Sequence, residues 1–175
     1  MFYGQIITAD CANGPGVRLS IFVSGCTNHC KGCFQPETWE FNFGREYTDE
    51  TEEYILSEVS KPYYKGLTIL GGEPFEPCNQ LGIIHLLEAF KDKNPDKDVW
   101  IFTGFTYEED LLEGKRKHTK VTDRILELTD VLVDGKFIEA EKDMRLNFRG
   151  SRNQRIIDIK ESRKTGETVL SKLNN

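Results

Sequence analysis

Short apolar runs alternate with amphipathic stretches along most of the chain. Residues 2–7 and 18–23 read as strands, and the second, Leu19-Ser20-Ile21-Phe22-Val23, has the unbroken apolar character of an interior strand that ends at Gly25. Asp49 with Glu52 three residues on marks a helix start, and Tyr54, Ile55 and Val59 give that helix an apolar stripe up to Pro62. A strand over residues 67–70 runs into Gly71-Gly72-Glu73-Pro74. Ile83, Leu86, Leu87 and Phe90 then recur at helical spacing, which predicts a helix from about Asn79 to Lys91. Residues 99–102 form a further strand ending at Thr103-Gly104. Ile125 and Leu128 lie on a helix after Thr122, residues 131–133 make a strand ending at Asp134-Gly135, and residues 156–159 make the last. The polar stretch 162–175 is expected to fray as a C-terminal tail beyond a single domain of residues 1–161.

Strands alternating with helices imply an α/β fold of parallel strands joined by right-handed helical crossovers. Cysteines, glycines and polar residues then fall at the carboxyl ends of strands, where such folds build their sites. The 175 residues suffice for one well-buried core but fall short of the ~250 residues of a complete (β/α)8 barrel, so any barrel here is incomplete.

Composition narrows the function classes. A formal charge of -6 argues against general nucleic-acid binding, which relies on a positive surface to displace counterions. The apolar runs are strand-length rather than membrane-spanning, and the N-terminus lacks the basic segment and apolar run of a signal peptide, so a cytoplasmic protein is expected. Charge is unevenly spread: residues 142–164 hold eight basic side chains against three acids, which reads as a solvated face or a docking surface.

Three of the five cysteines fall within eight residues, as Cys26-Thr-Asn-His-Cys30-Lys-Gly-Cys33. In a reducing compartment such a cluster reads as a metal site before it reads as disulfides. Thiolates suit zinc or an iron–sulfur cluster. A structural zinc ion would want a fourth ligand, for which His29 or Cys78 is available, whereas a cubane on three cysteines keeps one iron open for substrate. Cys11 and Cys78 stand alone and receive no role.

The Cys-x-x-x-Cys-x-x-Cys motif on a loop after a core strand resembles the radical S-adenosylmethionine superfamily. Gly32 stands where many members have an aromatic residue, and Phe34 follows the third cysteine instead. Gly25-Cys26 through Cys33-Phe34, Glu37-Thr38-Trp39, residues 13–18 (Asn-Gly-Pro-Gly-Val-Arg), residues 67–74, Thr103-Gly104-Phe105, residues 133–136 and residues 149–155 together resemble the glycyl-radical-generating activases of anaerobic ribonucleotide reductase. That resemblance implies a partial β/α barrel of the radical S-adenosylmethionine type, with one [4Fe–4S] cluster on Cys26, Cys30 and Cys33. It implies S-adenosyl-L-methionine (SAM) beside Gly32, Cys33, Phe34, Gly71, Gly72, Glu73, Pro74, Thr103 and Asp134, with Glu73 or nearby carbonyls receiving the methionine ammonium. It further implies reductive cleavage to methionine and a 5′-deoxyadenosyl radical, which takes a hydrogen atom from a glycine of the reductase's large subunit. A low-potential electron donor such as flavodoxin or a thiol-based reductase would supply the electron. Arg149, Arg152 and Arg155 are candidates for contacts to the cofactor carboxylate or the partner, with structural salt bridges as the plain alternative. Glu73-Pro74 and Asp134-Gly135 also read as simple turns. Other readings are an activase for a different glycyl-radical protein, an enzyme like 7-carboxy-7-deazaguanine synthase, and a non-enzymatic zinc-binding module.

Overall fold

A computed structural model describes residues 1–174. Eleven regular elements organise it: β1 (Phe2–Asp10), β2 (Arg18–Val23), β3 (Arg45–Glu46), α1 (Asp49–Val59), β4 (Gly66–Gly71), α2 (Pro77–Lys93), β5 (Asp98–Phe102), α3 (Thr122–Leu128), β6 (Val131–Asp134), β7 (Arg155–Asp158) and α4 (Ile159–Thr165). Local chemistry sets their ends. Thr48 caps α1 by accepting from the Thr51 N–H, with Asp49, Glu50 and Glu52 in the first turn where the helix dipole favours acids. Pro77 opens α2 at a position whose N–H has no helical partner, and Lys91 and Lys93 sit in its last turn.

The strands form one sheet in the order β3-β1-β2-β4-β5-β6-β7. The central four, β2, β4, β5 and β6, are parallel as expected, but β1 and β7 run antiparallel to their neighbours. The cause is the connection. The loop 11–17 is too short to carry a helical crossover, and residues 135–154 contain only a single turn of 3-10 helix at Glu139–Glu141, so each of these strands returns beside its neighbour. The tail also differs from expectation. Helix α4 crosses the anticipated boundary at residue 161, and the chain beyond it lies along β7, with Asp158 N–H donating to Val169 O (2.9 Å) and Ser171 N–H to Ile156 O (2.8 Å). The backbone groups of an edge strand are thereby satisfied.

The central order advances in one direction without reversal, so right-handed crossovers put the helices on a single face, where α1 packs on α2, α2 on α3 and α3 on α4. Leu19, Ile21, Leu67, Ile69, Val99 and Ile101 point to that face and meet Ile55, Val59, Ile83, Leu87, Phe90 and Ile125 in the main core. The alternate residues face the other way. There Trp100, Val133 and Ile156 form a second apolar cluster with Phe102, Phe148 and Leu173. Near the amino ends of the parallel strands the fully buried Arg18 fills this open face, donating to Thr68 Oγ1 (2.6 Å) and Leu67 O (2.9 Å) and pairing with Asp98 (2.6 Å). Near the carboxyl ends the face is left concave. Among the described residues no helix is long and apolar enough to cross a membrane.

Candidate functional site

The concavity is a cleft of about 680 Å³ walled by Phe22, Leu70 and Phe102 from three parallel strands. Cys26, Cys30 and Cys33 all line it. Strand β2 delivers them: the chain leaves Val23, reverses at Gly25 (φ 95°), and enters the loop with Cys26 buried and the other two partly exposed. A side chain at Gly25 would sit 2.4 Å from the Phe41 ring. At the end of β4, Gly71 (φ 108°) would place a Cβ 2.7 Å from the Phe22 backbone, and Gly72 would place one 2.8 Å from the carbonyls of Gly25 and Thr38. The glycine pair therefore lets the β4 end pass directly under the cysteine loop.

Burial pushes the Cys26 thiol up to about 11 and raises Cys30, so loading with metal must release protons from these groups. Gln35 N–H lies 3.5 Å from Cys33 Sγ, a donor aimed at sulfur. Among the described residues no three His, Cys, Asp or Glu side chains converge on one ion position. A cubane asks for something else, since each thiolate takes a different iron, and three thiols sharing one cleft suit it.

Behind the cleft the first half of the loop is stitched to the segment after β4. Gly72 N–H donates to Val23 O (2.7 Å), Glu73 N–H to Gly25 O (2.8 Å), and Asn79 Nδ2 to Ser24 O (2.9 Å). Glu76 accepts from Thr27 N–H (3.0 Å) and Thr27 Oγ1 (2.5 Å) with one oxygen and from Lys117 Nζ (2.8 Å) with the other. Burial alone would raise the Glu76 carboxyl, but these bonds outweigh it and hold it below the usual range.

Residues 12–157 match the 4Fe-4S single cluster domain family. The chain is 40% identical over 156 residues to the anaerobic ribonucleoside-triphosphate reductase-activating protein of Vibrio cholerae, covering 88% of this chain and 96% of that one. The proteins of the same name from Escherichia coli K12 (36%; 88% and 96% covered) and phage T4 (37%; 89% and 93% covered) align over the same length. The chain belongs to this activating-protein family.

Within this family member the structure sorts the residues singled out by sequence. Phe34, Gly71, Gly72, Thr103 and Arg149 line the cleft with the three cysteines, whereas Gly32, Pro74, Asp134, Arg152 and Arg155 do not. Glu73 is turned away from it. The carboxylate is fully buried and accepts four hydrogen bonds: Thr103 Oγ1 (2.6 Å), Gly104 N–H (2.7 Å), Phe75 N–H (3.0 Å) and Asn28 Nδ2 (3.2 Å). Burial pushes it up to about 7 against the pull of those donors. Asp134 is likewise fully buried, accepting from Tyr107 N–H (2.8 Å) and from Arg155, which also grips Glu108 and draws that carboxyl down to about 2. Arg152 pairs with Asp143 (2.9 Å), and His29 stacks on Trp39 with ring centroids 4.6 Å apart. Phe34, 64% exposed, leans on Phe137 at the cleft rim under Lys142. Sequence reasoning missed Thr27, Asn28, Glu76, Asn79 and Lys117. One signal was available: Asn79 occupies the stripe that Ile83, Leu87 and Phe90 continue, a polar residue where the helix buries its face.

Proposed function

We infer that this protein is a SAM-dependent activating enzyme that generates a glycyl radical on the large subunit of an anaerobic ribonucleoside-triphosphate reductase. One observation carries the reading: the three thiols of the Cys-x-x-x-Cys-x-x-Cys loop line a single cleft together with the Gly71-Gly72 and Thr103-Gly104 strand ends. The names of its relatives supply the substrate protein. Cys26, Cys30 and Cys33 would hold one [4Fe–4S] cluster. When bound, the cluster and SAM supply the one-electron chemistry, reductive cleavage of a sulfonium, that ends in a glycyl radical on the reductase.

The chain's own residues provide the setting. Phe22, Leu70 and Phe102 give the cleft an apolar wall that excludes water from a reactive ligand. Gly71 and Gly72 line the cleft and let the β4 end pack closely against Phe22, Gly25 and Thr38 beneath the cysteine loop, which supports this strand end as one wall of the methionine-binding site. Glu73 acts from behind, fixing the Thr103-Gly104 turn and the Asn28 side chain rather than taking an ammonium itself. Asp134 and Arg155 brace β6 against β7, while Arg149 lines the cleft with its guanidinium donating to Gln154 O and Asn174 Oδ1. The unreversed strand order, helices on one face and a sheet ending in β3 and β7 support an incomplete barrel of the radical SAM type, open enough to admit a loop of a large substrate protein. A cytoplasmic location and a low-potential donor such as a flavodoxin or thiol-based reductase accompany the proposal.

The test is anaerobic. Protein reconstituted with iron and sulfide should hold about four irons per chain, release 5′-deoxyadenosine when reduced with SAM present, and yield a doublet electron paramagnetic resonance signal only when the reductase is added. Cys26→Ser, Cys30→Ser and Cys33→Ser should each abolish all three. One tightly held zinc with neither sulfide nor cleavage would overturn the reading in favour of a binding module.

A further inference from the structure

The excursion between β5 and α3 presents Lys117 to the back of the cysteine loop, and the structure invests heavily in that placement. Gln80, fully buried in α2, donates to Lys117 O (2.8 Å) and accepts from Thr119 Oγ1 (2.8 Å) and Thr122 Oγ1 (2.6 Å). Lys117 N–H donates to Asp110 O (3.0 Å), and the ammonium lies 4.6 Å from the centre of the Phe105 ring. From there Nζ reaches Glu76 Oε2 (2.8 Å) and Thr27 Oγ1 (3.3 Å). The two side chains are only 14% and 4% exposed, so solvent screens the pair weakly. Thr27 directly follows Cys26, and the other Glu76 oxygen holds its N–H and hydroxyl.

We propose that Lys117 and Glu76 are positioning residues for the iron–sulfur cluster, a buried charge pair that fixes the Cys26 end of the loop and sets the cluster's reduction potential. The proposal rests on the cluster reading above. Its physical basis is the dependence of cluster potentials on nearby charge and on hydrogen bonding. While paired, the two charges largely cancel at the cluster. Removing either leaves its partner exposed to the cluster in a poorly screened setting, and the signs are opposite. An unbalanced Lys117 favours the reduced, more negative cluster and raises the potential; an unbalanced Glu76 lowers it.

The experiment is a redox titration of the reconstituted protein, following cluster absorbance and the paramagnetic signal of the reduced form, without SAM or reductase. Glu76→Gln should shift the midpoint potential upward, since the glutamine carbonyl still accepts from Thr27 while the negative charge is gone. Lys117→Met should shift it downward. The double variant, neutral at both positions, should return towards wild type, and Lys117→Arg should stay there. Where Lys117→Met folds poorly, as judged by melting of the apo-protein, Lys117→Gln carries the same prediction, because it keeps a donor to Glu76 without the charge. Equal potentials in both single variants, or shifts of the same sign, would overturn the proposal and leave the pair a plain structural tie. Failure of the wild-type chain to take up any cluster would remove the underlying cofactor reading, and the proposal with it, before a variant is titrated.

Discussion

The two halves of the cysteine loop are built differently. Residues 24–28 are held from both sides: the segment after β4 bonds Ser24, Gly25, Thr27 and Asn28, and the turn before β3 accepts from Gly25 N–H (2.8 Å, Thr38 O) and Cys26 N–H (3.2 Å, Trp39 O). Residues 29–35 have the bond from Cys33 N–H to Cys30 O, the Gln35 contact to Cys33 sulfur, the Gln35 carbonyl accepting from Thr38 N–H and Oγ1, the His29–Trp39 stack, the Phe34 ring against Phe137 and under Lys142, and an exposed Lys31–Glu139 pair. Cys26 is buried while Cys30 and Cys33 are half-exposed. The first half is thus a preformed anchor carried by the sheet and α2. The second half is a more exposed flap held mainly by surface contacts, and its order is expected to respond to what the thiols bind.

The largest effect expected from breaking this asymmetry is at Glu73, the centre of the anchor. Glu73→Ala strips acceptors from the Phe75 and Gly104 N–H groups, the Thr103 hydroxyl and the Asn28 amide, most of them buried. Stranding buried donors costs about 1–3 kcal/mol each, so a loss of roughly 4 kcal/mol in urea denaturation of the apo-protein is expected. A loss below about 1 kcal/mol would mean that the anchor draws its strength from elsewhere. The same residue gives a pH signature. Its carboxyl binds a proton more tightly in the folded chain, with its value pushed from 4.5 up to about 7, than in the unfolded one. Stability is therefore fully favoured below about 4.5 and declines as pH rises through 7, by up to about 3 kcal/mol. The acids held low, such as Glu108, lose their stabilisation only as pH falls below the usual carboxylate range, a separate window. Glu73→Gln should remove the slope between 4.5 and 7 while leaving the acid limb in place.

A smaller effect is expected at Gly71. Alanine there must adopt φ near 108° and pushes its Cβ to 2.7 Å from the Phe22 backbone. A positive-φ penalty plus a backbone shift predicts a loss of about 2–3 kcal/mol, read as a lowered melting temperature. Cluster uptake should fall with it, because Phe22 leads directly into the anchor.

The contrast between the halves also marks what sequence could and could not disclose. The cysteine spacing, the glycine pair and the alternation of strands and helices were legible because each is a local pattern, and they located the central parallel strands and the cleft. The directions of β1 and β7 were not, since apolar periodicity is the same for either direction and only the connection decides. Nor was the aim of a carboxylate. Glu73 and Asp134 each lie at or just past a strand end, and the sequence offered them to a ligand. In the fold both turn inward, one to brace turns and one to receive Arg155, because a buried carboxylate is stable only among donors. Of the three arginines proposed for ligand contacts, Arg149 lines the cleft while donating to Gln154 O (2.7 Å) and Asn174 Oδ1 (2.9 Å), and Arg152 and Arg155 pair with Asp143, Glu108 and Asp134. The tail read as loose because it is polar over most of its length. Backbone pairing of residues 169–171 with β7 nevertheless seats it, and Leu173 joins the Trp100 cluster.

The smallest effect belongs to the open half and tests the comparison most directly. Lys31 is 91% exposed and pairs with a half-exposed Glu139 at 3.2 Å, a surface contact worth well under 1 kcal/mol. Lys31→Ala should leave apo-protein stability within about 0.5 kcal/mol of wild type. Hydrogen exchange adds the decisive contrast. Amides of residues 25–27 should be protected in the apo-protein, since their donors are already bonded to Thr38, Trp39 and Glu76. Amides of residues 29–32 should exchange fast until iron and sulfide are added, and then slow, in wild type and Lys31→Ala alike. Equal protection of both halves without metal would show that the flap is as preformed as the anchor. Metal-dependent protection in residues 25–27 would show the reverse, that the buried hydrogen bonds behind Cys26 form only when the thiols are occupied.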